Sequence, residues 1–160
     1  MRWCSLLLLA ACDGSTSPAV DAPAADARSD ASSDAASDVY QAFAVAGGLD
    51  RVVILKARGG ACYAIVLRSP GTNTTPLVVP SGWELESAHA RQPAAACNPG
   101  YAGPVANTVD ATSVTGMVAW QQTAALPSSI SALDVTLSFP SPPMWFPASE
   151  RLVANDVPVQ

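Results

Sequence analysis

Few side chains in this 160-residue chain are equipped for chemistry, and their spacing narrows the list further. His89 is the single histidine, hence the sole imidazole base. Asp110 or Asp134 would have to orient it, but no Gly-x-Ser-x-Gly elbow supplies a nucleophile. Glu84 and Glu86 stand two apart in WELESA. On a strand that places both carboxylates on one face, about 6 to 7 Å apart, a separation that overlaps glycosidase pairs. Neighbours on one strand flank a sugar poorly, so the alternation Trp83, Glu84, Leu85, Glu86 reads first as the wet face of a strand. The aromatics offer a binding alternative. Trp145 and Phe146 lie in the stiff segment PSPPMWFP (140–147), and Tyr101 follows Cys97, so these rings are candidates for a carbohydrate platform. The plainer expectation is that Trp145 and Phe146 fold back over an open end of the core, because large exposed apolar side chains are disfavoured on a monomer. One histidine and no Cys-x-x-Cys pair argue against a zinc site or a redox dithiol, and no cofactor is expected.

Charge excludes a further class. The net charge is −5 with a single lysine, whereas phosphate contacts need a dense basic face, so no nucleic-acid partner is expected. Residues 13–38 carry six Asp against Arg28, and residues 39–160 carry seven acids against six bases. The acidity belongs to the N-terminal segment, and the remainder is close to neutral.

That segment reads DGSTSPAVDAPAADARSDASSDAASD, with Val20 as its one sizeable apolar side chain. It cannot bury enough surface to offset the entropy of ordering, so a disordered tether is expected. Asp21, Asp26, Asp30, Asp34 and Asp38 recur mostly four apart, a spacing that stacks like charges on a helix and favours an extended, self-repelling coil. Its span is about 30 Å as a flexible coil and at most about 90 Å when stretched.

Ahead of the tether, Arg2 supplies a positive start, residues 6–9 a short leucine run, and Ala10 and Ala11 the small residues that a signal peptidase requires. Cys12 follows at once. The string Leu9-Ala10-Ala11-Cys12 resembles the lipobox of bacterial lipoproteins. The resemblance implies that residues 1–11 are removed and that the Cys12 thiol carries a diacylglycerol at the mature N-terminus. Each buried CH₂ of such chains contributes about 0.8 kcal/mol, and several chains hold where one anchors only marginally. No segment approaches the length of about 20 apolar residues needed to cross a bilayer, so the lipid is the expected membrane attachment. Lipobox, Asp/Ala/Ser tether and small domain together resemble the uncharacterised envelope lipoproteins that myxobacteria-like Gram-negative bacteria carry in numbers. That likeness implies a place on the outer or inner membrane and no enzymatic activity. Asp13 matches the residue that holds such lipoproteins in the inner membrane of enteric bacteria.

Export bears on the other thiols. The lipobox resemblance implies that Cys4 leaves with the signal and that Cys12 is acylated, which would leave the domain Cys62 and Cys97. In an oxidising compartment two remaining thiols in one small domain pair. A loop of this length is worth about 4 kcal/mol in the chain-entropy account.

From residue 39 onward, Val, Ile, Leu, Trp and Thr occur in short runs between Pro and Gly, and helices are expected to be few. Segments 51–58 (RVVILKAR) and 61–68 (ACYAIVLR) flank Gly59-Gly60 and predict a tight hairpin. Further strands are expected at 76–79, 83–88, 114–121 and 133–139, with 151–154 closing the sheet. Residues 40–46 read as a strand in preference to a short helix, and 89–113 as a loop. The predicted architecture is all-β: a small antiparallel β-sandwich over residues 39–160, after a lipidated tether at 12–38. Its expected role is non-enzymatic, as a binding or structural surface for a carbohydrate or an envelope protein, with the membrane reached through Cys12. A small hydrolase working through His89 or the Glu84/Glu86 pair is a further alternative.

Overall fold

The computed structural model describes residues 38–122 and 124–160. The signal, Cys12 and the tether up to residue 37 lie outside the described residues. The described chain is a two-sheet β-sandwich with one short 3₁₀ turn. Its strands are β1 (Val39–Val45), β2 (Asp50–Arg58), β3 (Ala61–Ser69), β4 (Leu77–Val78), β5 (Glu84–Gln92), β6 (Ala106–Asp110), β7 (Ser113–Gln122), β8 (Pro127–Ser138), β9 (Ser149–Ala154) and β10 (Val157–Pro158). The first sheet has the order β1-β2-β3-β5-β6; the second runs β10-β8-β7-β4, with β9 also on β8.

The β2–β3 hairpin forms where the glycine pair predicted it. Gly59 and Gly60 sit at φ +57° and +80°, which residues with a Cβ rarely adopt, and Arg58 pairs directly with Ala61. Alternation then selects the core. Val52 and Ile54 of β2, Tyr63, Ile65 and Leu67 of β3, and Val135 and Leu137 of β8 meet Leu152 of β9 between the sheets, all essentially inaccessible to solvent. Two aromatic groups close its ends. Trp83 meets Trp120 edge-on at 4.9 Å, and Phe139 meets Phe146 edge-on at 4.9 Å with Tyr63 alongside.

Three features depart from the expectation. First, 89–113 is not a continuous loop: β5 runs through Gln92, and β6 adds an edge strand. The alanines of β5, Ala88 and Ala90, fill the core face without a strong hydrophobic signal, and β6 buries little, so neither showed an alternating pattern. Second, the sandwich is not wholly antiparallel, because β4 pairs with β7 in parallel. Third, β9 and β10 are one strand in a single register on β8, since Ala154 faces Leu133 and Val157 faces Ile130. Asn155 and Asp156 make a bend between them without a change of register, Asp156 at φ +53°. Beyond β10 the chain crosses to the first sheet, where Gln160 N–H donates to Ala42 O (3.0 Å) and Ala44 N–H to Gln160 O (2.9 Å). These bonds cover the free edge of β1, which would otherwise present unpaired backbone groups.

Candidate functional site at the Lys56 end of the sandwich

The two cysteines of the domain are joined. Cys62 of β3 and Cys97, at the end of the 3₁₀ turn Ala94–Cys97, form a disulfide with Cα atoms 5.2 Å apart. The bridge holds the turn against the outer face of the first sheet, where Leu55, Ala64 and Ala96 make a second small apolar cluster. Tyr101 packs against that cluster, and its hydroxyl donates to Pro104 O (3.1 Å).

The other expected site residues are dispersed. His89 on β5 is half-buried and faces Asp110 across the β5–β6 pair. Burial lowers its pKa, Arg91 lowers it further, and Asp110 opposes the shift, so the ring is neutral at neutral pH. Asp134 is remote from it, paired bidentately with Arg151 at 2.9 Å for each bond. Glu86, the extra residue of a β-bulge, is held by Arg51 through bonds of 2.6 and 3.0 Å. Glu84 accepts from Arg68 Nε (2.7 Å) and from Thr72 N–H (3.1 Å). Those contacts hold both carboxylates below the usual range, Glu84 chiefly through Thr72 N–H and Glu86 through Arg51. Each is kept ionised, the opposite of what a general acid requires. An open groove of about 460 Å³, lined by Leu85, Glu86, Ala88, Asp110, Ala111 and Val114, lies beside them.

The rings do not form one platform. Phe146 is buried at 7% exposure, and Trp145 is half-buried and lies against it with centroids 4.2 Å apart. Tyr101 belongs to the separate cluster on the outer face of the first sheet. Phe146 is therefore a core residue, because folding the Pro-rich segment back covers the open end of the sandwich. Trp145 alone of that pair keeps an accessible edge, next to a fully exposed Met144.

A different group of charges converges at this end. Lys56 continues the inward phase of Val52 and Ile54 and is 1% exposed. Its Nζ donates to Glu150 Oε1 (2.7 Å) and to Arg151 O (3.0 Å), and lies 3.0 Å from Asp38 Oδ2. Glu150, on β9, is itself buried at 7% exposure and also accepts from Arg58 Nη1 (3.1 Å). The Tyr40 ring flanks the ammonium at 5.6 Å, and its hydroxyl accepts from Val153 N–H (2.9 Å). Burial pulls the Lys56 pKa down, but the bonds to Glu150 and Asp38 outweigh it, and the net shift is upward. Burial also pushes the adjacent Tyr63 phenol up to about 12. The cluster thus joins a strand of each sheet to Asp38, the residue at which the acidic segment meets the fold. Sequence reasoning missed it, although the chain's single lysine stands in the core phase of an apolar strand.

Comparison with protein-family models, with curated proteins and with solved structures finds no match for this chain.

Proposed function

We infer that this protein is a non-enzymatic, lipid-anchored component of a bacterial cell envelope, in which the β-sandwich offers a binding or structural surface at the end of an acidic tether. The observation that carries the reading is the Cys62–Cys97 disulfide, because such bridges persist where thiols are oxidised, outside the cytosol. It stands apart from the Leu9-Ala10-Ala11-Cys12 string, which supports the same address. A structural or binding role is supported by the state of the acidic side chains: Glu84, Glu86, Asp134 and Glu150 each sit against an arginine or lysine. Fractionation tests the reading. Wild-type chain is expected with the membranes and Cys12→Ser in the soluble fraction. A wild-type chain recovered in the cytosol would overturn it.

Carbohydrate binding is the second reading, favoured by the accessible edge of Trp145 beside Met144. A sugar array probed with wild type and Trp145→Ala decides it: binding that the substitution abolishes supports it, and absence of binding removes it. A hydrolase working through His89 or the Glu84/Glu86 pair has less support, since both carboxylates are committed to arginines.

A further inference from the structure

The Lys56 cluster brings together a buried amine, the buried carboxyl group of Glu150, the carboxyl group of Asp38 at the rim of the fold, and the Tyr40 ring. Lys56 is 1% exposed, Glu150 Oε1 is 2.7 Å from Nζ, and Asp38 Oδ2, just ahead of the neighbouring strand β1, is 3.0 Å from it. We propose that Lys56 and Asp38 become joined by an intramolecular amide bond, with Glu150 as the proton carrier.

The step balances without any further reactant. Lys56 Nζ attacks Asp38 Cγ, the new C–N bond forms, and one Asp38 oxygen leaves as water. Nζ gives up two protons in the process and the departing oxygen takes both. Glu150 accepts them in turn at Oε1 and passes them on, ending as the carboxylate it began as. An ammonium and a carboxylate thereby become a neutral amide and a water molecule, so no net charge is created.

Three physical terms favour the step here. Burial opposes the ammonium of Lys56 even though its bonds to Glu150 and Asp38 leave its pKa raised, and the amide product carries no charge to desolvate. Fixing amine and carboxyl in contact replaces an encounter by an effective molarity of about 10⁵ M or more. Arg58 stands on the other side, with Nε 3.9 Å from Asp38 Oδ1, where negative charge develops in the tetrahedral intermediate. The mechanical consequence follows from position. Asp38 is where the chain enters the fold, so a bond to β2 carries tension from the tether past the edge strand β1 to the second strand of the first sheet. The inference does not rest on the lipid anchor and survives its failure.

The sequence supplies the assay. Lys56 is the single lysine, so a lysine-specific endoproteinase cuts the unfolded, reduced full chain once, and only where the ε-amine is free. The expected wild-type result is a chain that resists cutting. Trypsin should yield a branched species of residues 29–51 and 52–58, one water lighter than the two peptides combined. Asp38→Ala, at the rim of the fold, and Glu150→Gln should each become cleavable at Lys56 and regain full mass. Cleavage of wild type at Lys56, at full mass after prolonged incubation at neutral pH, would overturn the proposal. A Glu150→Gln chain that stays uncut and light would overturn the role given to Glu150. Because the wild-type reading needs no variant to fold, a misfolded substitution leaves the decision intact.

Discussion

Lys56 Nζ and Glu150 Oε1 lie 2.7 Å apart although they stand 94 residues apart in sequence and on different sheets of the sandwich. An apolar pair would fill that position without desolvating charge, so the contact trades stability for a defined join between β2 and β9. Removing one partner leaves the other charge buried. Glu150→Ala is expected to destabilise the domain by about 3 to 5 kcal/mol in urea unfolding, because it leaves the buried Lys56 ammonium without its closest carboxylate.

Reduction of Cys62–Cys97 should release the 3₁₀ turn and the loop that follows from the outer face of the first sheet. Stability is expected to fall by about 4 kcal/mol for the Cys62→Ala, Cys97→Ala chain, as followed by the denaturation midpoint. Native material treated with a thiol reagent should label at neither position until it is reduced.

Gly116 tests the packing of the second sheet. It sits at φ +113°, and a Cβ there would come within 2.1 Å of Asp134 O on β8. Gly116→Ala is expected to lower stability by about 2 kcal/mol, through strain and separation of β7 from β8. A thermal melt unchanged from wild type would show that the strand pair adjusts freely.

Acid should weaken the fold in a defined direction. Glu84, Glu86 and Asp134 all have folded pKa values lowered by their partners, from ordinary values of 4.5, 4.5 and 3.8. Their contribution is complete above the unfolded values and is lost as pH falls through the folded ones. Stability is therefore expected to be flat near neutral pH and to decline below about pH 4.5. Each pair lies at the surface, so the decline is modest and is reduced by salt. Glu84→Gln should shorten that acid limb in a pH series of urea midpoints.

The two aromatics of the Pro-rich segment should separate in the same assay. Phe146→Ala removes a buried ring and is expected to cost about 3 to 5 kcal/mol, whereas Trp145→Ala, half-exposed, costs less.

These features differ in how far the sequence exposes them. The β2–β3 hairpin was legible because Gly59-Gly60 is a local turn signal between two β-branched runs, and β8 because Leu133, Val135 and Leu137 alternate cleanly. The disulfide was legible by elimination among four cysteines. Strand β6 was hidden because this edge strand only half-buries one residue, Val109, between the polar Thr108 and Asp110. The Lys56 cluster was hidden for a different reason. It is built from β1, β2 and β9, and nothing local to RVVILKAR says that a glutamate from the far end of the chain will meet its lysine. The inward phase of Lys56 was the available clue: a charge in the core period of a strand demands a partner.

Metabolic labelling with a radioactive fatty acid, in a Gram-negative host expressing the full chain, tests the central claim most directly. The account predicts label on the wild-type protein, resistant to detergent washing, and none on Cys12→Ser. A wild-type protein that carries no label and retains Met1 in the soluble fraction would contradict it.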